Sequence, residues 1–307
     1  MIPTSPTSSL DHRIISLLPG ATEIVAALGA LDQLVGVTHE CDHPAAVTSR
    51  VRVTDTVVDT TAPAHVVDAQ VRALARTGAP FFTLREDRIA ALAPDLLLTQ
   101  ALCAVCAVSE HDVRALAGRL SPSPRVVAVS ATTFDGVLED IRLVADALGI
   151  PDRGQALVDA LLARLRAVHD VLRAAQAPRP RVAVIEWLDP LFTGGHWIPD
   201  MVRRAGGRDV IAQPGAHSTT MSGDAIAEAR PDVIIVAPCG YDVARAADAA
   251  RTLTVPAGVS VWAVDANGLF SRPGPRLVDG VETLAALLHP SLFAPPDPRH
   301  AVLCNAS

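Results

Sequence analysis

Four of the five cysteines stand just past apolar runs that read as buried strands. Cys41 follows Leu34-Val35-Gly36-Val37, Cys103 and Cys106 follow Leu96-Leu97-Leu98-Thr99-Gln100, and Cys239 follows Val233-Ile234-Ile235-Val236. Thiolates gathered at one centre suit zinc or an iron–sulfur cluster, and His39 or His196 can replace one of them. The plainer alternative is that each cysteine is a small buried hydrophobe. Cys304, beyond a run of prolines, is incidental to this chemistry. The odd number of cysteines reads as thiols or metal ligands rather than a disulfide framework.

Three other clusters carry candidate chemistry. His39, Glu40, Asp42 and His43 crowd one loop, where imidazole and carboxylate can ligate a metal or a histidine can serve as axial ligand to tetrapyrrole cobalt or iron. Asp42 and Pro44 equally suit a plain acidic turn. Glu186, Trp187, Asp189, Phe192, His196 and Trp197 bring two of the three tryptophans into one loop, in a chain only 3% aromatic. That clustering reads as a platform for a flat ligand, or as a local core beneath the loop. Asn267, Phe270, Arg272 and Arg276 follow the last strand, where arginine can pair with a ligand carboxylate or with acids of an opposing lobe. Pro19 and Gly20, in the turn after the first strand, and Gln100, at a strand end, complete the candidate ligand contacts.

Composition removes several classes. The 307 residues include no lysine, which excludes Schiff-base, pyridoxal-phosphate and ordinary phosphate-loop chemistry. A formal net charge of −7 with scattered arginines argues against nucleic acid or an anionic membrane surface as partner. No Ser-His-Asp order, dinucleotide fingerprint or zinc-protease helix is present. An enzyme would have to use a thiol nucleophile or metal-activated water, with Glu40 or Glu186 as base. The first thirteen residues lack the pattern of a secretory signal, and the apolar stretch from Ile14 to Leu31 is broken by Pro19, Gly20, Thr22 and Glu23. These features predict no membrane span and a cytoplasmic location, or a periplasmic or surface-attached one if a signal was removed.

The elements that must position these residues occur twice. Ile89 to Gln100 and Ile226 to Pro238 each read as a helix end, a Pro-Asp turn and a buried strand. Arg13 to Leu18 and Arg181 to Ile185 are opening strands; Thr22 is the expected cap of a helix from Glu23 to Leu28, stopped at Gly29. Ile198 to Ala205 is the matching helix, stopped at Gly206-Gly207. Further strands fall at 125–129 and 259–264, and helices at about 133–148 and 275–288. Between the halves, Leu157, Leu161, Leu165, Val168 and Leu172 form one apolar stripe on a helix of roughly 25 residues, about 37 Å long. The pattern predicts two similar Rossmann-like α/β lobes, 13–150 and 179–291, joined by a connecting helix over 151–178, with ends at 1–12 and 292–307 and a ligand cleft between the lobes.

This plan resembles the helical-backbone (class III) substrate-binding proteins of ABC transporters, which receive metal ions, iron chelates and cobalamin. The resemblance rests on Ile15-Ser16-Leu17-Leu18-Pro19-Gly20-Ala21-Thr22-Glu23, Leu34-Val35-Gly36-Val37, the Pro-Asp units and Leu191-Phe192-Thr193-Gly194-Gly195, and runs from about Arg13 to Leu288. More narrowly, the chain is similar to a cobalamin-binding subgroup through Thr38-His39-Glu40-Cys41-Asp42, the segment 102–109, Glu186-Trp187-Leu188-Asp189-Pro190, Gly195-His196-Trp197, Ala237-Pro238-Cys239-Gly240 and Phe270-Ser271-Arg272-Pro273-Gly274-Pro275-Arg276. The resemblance implies a binding protein rather than an enzyme, cobalamin or another metal-containing ligand, and an ABC transporter as partner. An iron–sulfur or zinc protein and a thiol or metal enzyme stand as the alternatives.

Overall fold

The computed structural model describes residues 12–101 and 108–305. The chain forms two α/β lobes. The first comprises residues up to Val58, Leu74–Ser130 and Leu138–Val158; the second comprises Asp59–Ala73, Ala131–Val137 and residues from Asp159 onward.

The first lobe contains β1 (Ile14–Ser16), α1 (Pro19–Ala27), β2 (Leu34–Val37), β3 (Val51–Arg52), β4 (Thr54–Thr56), β5 (Phe82–Leu84), α3 (Glu86–Ala91), β6 (Leu96–Gln100), α4 (Glu110–Ala117) and β7 (Arg125–Val129). Helices α2 (Ala64–Thr77), α5 (Phe134–Ala147) and α6 (Pro151–Ala174) each run from one lobe's residues into the other's. In the main sheet the strands lie in the order β3-β2-β1-β6-β7, all parallel, while β4 and β5 pair antiparallel apart from it. Every residue of β1 and β6 is buried, as central parallel strands covered on both faces require.

The second lobe adds β8 (Arg181–Leu188), β9 (Leu191–Thr193), α7 (Ile198–Arg204), β10 (Arg208–Asp209), α8 (Gly223–Ala229), β11 (Val233–Val236), α9 (Val243–Ala250), β12 (Ser260–Val264), α10 (Ala266–Leu269), α11 (Leu277–Leu288) and β13 (Ala301–Leu303). Its sheet runs β10-β8-β11-β12-β13, with β9 folded antiparallel onto β8 and β13 antiparallel on the far edge. The C-terminal residues thus supply an edge strand rather than a loose tail. In both lobes the strand order reverses direction beside the opening strand, between β1 and β6 and between β8 and β11, the crossover where α/β sheets collect ligands.

The two Pro-Asp units perform the same task. Asp95 accepts from the backbone N–H of Arg13 at 3.1 Å, and Arg13 Nε donates to Leu92 O at 2.8 Å. Asp232 accepts from Arg181 N at 2.7 Å, and Arg181 Nε donates to Arg230 O at 2.8 Å. Each aspartate therefore sets where its lobe's first strand begins. Helices α1 and α7 also correspond: both carry proline in the first turn and end one or two residues before a left-handed glycine, Gly29 and Gly206.

One local expectation changes. Helix α1 begins at Pro19, whose missing N–H costs nothing in a first turn, so Thr22 lies inside the helix and is not its cap. The Thr22 hydroxyl instead lies 3.1 Å from Cys41 Sγ. The long helix appears as α6, 24 residues, with Val158, Leu161, Leu165 and Val168 buried along its stripe.

Candidate functional site

In the first lobe the polar loop after β2 is built around Thr54. Its hydroxyl accepts the backbone N–H of His39 at 3.1 Å and lies 2.8 Å from the ring Nδ1 of the same residue. The ring tilts against Phe82, centroids 5.8 Å apart, and its buried Nε2 has no hydrogen-bond partner among the described residues. Burial holds the His39 pKa below the ordinary imidazole value, outweighing the opposing pull of Asp55. Asp55 is itself clamped by Arg85. Arg52 Nη1 donates to Thr38 O and Cys41 O, both at 2.7 Å, which fixes the turn that presents His39 and Glu40.

In the second lobe the organising group is Glu186, on β8. Its Oε2 accepts from Gly195 N at 2.8 Å and from Ser218 Oγ at 2.9 Å. One carboxylate therefore pins two segments, each of which carries a histidine next in sequence: His196 and His217. Their nitrogens Nε2 and Nδ1 lie 3.2 Å apart, with the rings perpendicular. The segments are further zipped by His196 N donating to Ala216 O at 2.6 Å and Gly215 N donating to His196 O at 2.9 Å. A Cβ on Gly195 would stand 2.5 Å from Ser218 N, so the close approach demands glycine. Burial pushes the Glu186 pKa up, while its two hydrogen bonds pull it down.

Beside this knot, at the carboxyl end of β8, Trp187 meets Tyr241 edge-on with centroids 5.7 Å apart. Trp187 pairs with Phe192 across the β8–β9 ladder. Arg245 covers the Tyr241 ring at 3.7 Å and donates to Thr60 O and Ala62 O at 2.7 and 2.8 Å. Trp187 and Phe192 are half-buried, leaving aromatic surface beyond the strand ends.

Other candidates fall elsewhere. Trp197 is buried and its indole N–H donates to Phe270 O at 2.7 Å; Phe270 has 0% exposure. These two rings are core, because the loop folds them under itself, and neither is a platform for a ligand. Arg272 is buried and donates to Asn267 Oδ1 at 3.0 Å. Gln100 is buried at the end of β6, while Pro19 is half-buried and Gly20 buried in the first turn of α1. Cys41, 1% exposed, has its sulfur between the Thr22 and Thr38 hydroxyls, the surroundings of a small packed side chain. Cys239 is exposed, its backbone N–H donating to Glu186 O at 3.1 Å. Cys103 and Cys106 lie outside the described residues. Among the described residues no group of three or more His, Cys, Asp or Glu is placed to hold a metal ion, so the thiol-centre expectation gains no support. His217, Ser218, Tyr241 and Thr54 were missed by sequence reasoning. Tyr241 is the only tyrosine in the chain, a signal that could have marked it.

Residues 14–259 match the family described as periplasmic binding protein, and the chain belongs to that family. The uncharacterized ABC transporter substrate-binding lipoprotein YvrC of Bacillus subtilis is 24% identical over 92% of this chain and 81% of its own length. The vitamin B12-binding protein of Vibrio cholerae is 26% identical over 90% of this chain and 89% of its own. A periplasmic heme binding protein from Pseudomonas aeruginosa shares the fold, with TM-score 0.69 and 24% identity over 96% of this chain and 98% of that one. The protein is therefore a solute-binding protein and not a thiol or metal enzyme. Family membership also overturns the cytoplasmic location, since this is a family of periplasmic proteins and lipoproteins. Among the described residues no helix is long and apolar enough to cross a membrane.

Proposed function

We propose that this chain is the substrate-binding component of an ABC transporter and that it captures a metal-containing tetrapyrrole, cobalamin in the first reading. The observation that carries this is Trp187, half-buried and backed by the buried Tyr241 ring at the crossover between β8 and β11, where its open aromatic surface can receive a flat ligand. The similarity to a vitamin B12-binding protein supports the corrinoid reading.

Haem is the second reading, favoured by His39. The 2.8 Å contact between Nδ1 and the Thr54 hydroxyl holds the ring in one orientation, and the tautomer protonated at Nδ1 carries on Nε2 the lone pair an axial ligand needs. The Pseudomonas heme binding protein supports it through the shared fold.

Tryptophan fluorescence tests the reading. Cobalamin or haem added to the protein should quench its tryptophan fluorescence saturably, and Trp187→Ala should move half-quenching to a higher ligand concentration. Half-quenching at the same ligand concentration in wild type and Trp187→Ala would overturn the assignment of Trp187 to the binding surface.

A further inference from the structure

His196 and His217 are placed as a pair by more of the fold than a chance surface contact needs. Glu186 ties down the neighbour of each, two backbone hydrogen bonds close the gap between their segments, and His196 is held at φ +54. A non-glycine residue in the left-handed region is strained, and such strain gathers at binding sites.

The separation of the two ring nitrogens has a second meaning. Two imidazole nitrogens, each about 2.05 Å from one ion and subtending about 100° at it, stand about 3.1 Å apart. The observed Nε2 to Nδ1 distance is 3.2 Å. We infer that His196 and His217 form a two-nitrogen site for a divalent transition-metal ion, which takes the place of the proton the rings now share. The remaining coordination positions are open to water or to a donor atom of an organic ligand. The neutral pair needs only a tautomer shift: the shared proton moves to the outer nitrogen of its own ring, leaving a lone pair on each facing nitrogen. Imidazole donors suit copper, nickel and zinc over magnesium or calcium. The neutral imidazole is the form that supplies a lone pair to a metal ion. His217 is exposed and His196 half-buried, so an ion can reach both. The inference does not depend on the tetrapyrrole reading, because it concerns an ion alone.

The test is titration of the full chain with copper(II), followed by electron paramagnetic resonance and by equilibrium dialysis. Wild type should bind one ion with nitrogen hyperfine structure. His217→Ala should weaken binding at least about tenfold, the loss that even outer-shell changes cause at metal sites. His196→Asn should do the same while tolerating the left-handed backbone. His111→Ala, on the exposed face of α4, should bind as wild type does. Since His217 is exposed, its replacement leaves the fold intact and decides the matter even if His196→Asn is unstable. Copper binding unchanged in His217→Ala, or no copper bound by wild type, would overturn the inference.

Discussion

Removing the Glu186 side chain should loosen the second lobe where its histidines are held. Glu186→Ala deletes bonds of 2.8 Å to Gly195 N and 2.9 Å to Ser218 Oγ, and leaves the buried Gly195 N–H without its acceptor. Bonds to a charged acceptor contribute ~1.5–3 kcal/mol each, and an orphaned buried donor costs ~1–3 kcal/mol. Against this stands the desolvation of the carboxylate, which its raised pKa records. The net loss should be about 2–4 kcal/mol. Glu186→Gln keeps an oxygen for both donors and removes the buried charge. Because the folded pKa is raised, Glu186 contributes most below its unfolded pKa, and that contribution fades as pH rises through the folded value. Glutamine does not titrate, so Glu186→Gln should gain on wild type between about pH 5 and about pH 8. Urea unfolding of the three proteins at both pH values reads the differences as midpoint shifts at constant slope. A Glu186→Ala midpoint equal to wild type, or a Gln-minus-wild-type gap that does not grow with pH, would refute the reasoning.

Two further outcomes follow from Asp209 and Gly206 of the same lobe. The Asp209 carboxyl is pushed up to about 6 by burial, its Oδ2 without a hydrogen-bond partner among the described residues while Oδ1 accepts from Ile211 N and Ala212 N. Its stabilising contribution is therefore present at acid pH and lost as pH rises through about 6, a loss on the order of 3 kcal/mol, which Asp209→Asn should remove when urea midpoints are compared on either side of that pH. Gly206 sits at φ +83, where a Cβ would stand 2.7 Å from His289 Nε2 and 2.8 Å from Leu172 Cδ1. Gly206→Ala should cost at least about 1–2 kcal/mol by thermal or urea unfolding, and a neutral effect would mean that the turn after α7 relaxes freely.

The lobes were legible because their strands are short apolar runs bounded by Pro-Asp or glycine, and because the signal occurs twice. Asp95 and Asp232 show why the repeat is readable: both are needed by the same backbone geometry. The helix over Pro151–Ala174 was legible from one apolar stripe. Strands β3, β4, β9 and β13 were not, being two or three residues long on sheet edges where periodicity has no length to show itself. In the site, Trp187 and His196 stood out by scarcity and position. Trp197 and Phe270 stood out equally but are core, and composition cannot say which side of a loop a ring will take. His217 was hidden in a Gly- and Ser-rich loop, since its partner lies 21 residues away. The thiol pattern drew attention for its spacing, yet Cys41 is occupied by two threonine hydroxyls that no spacing rule reveals.

Visible absorbance tests the central claim most directly. Protein titrated into haem, and separately into aquocobalamin, should shift the bands of at least one of them saturably at one ligand per chain, and Trp187→Ala should weaken that shift. Spectra of both tetrapyrroles that stay unchanged in excess protein would contradict the account.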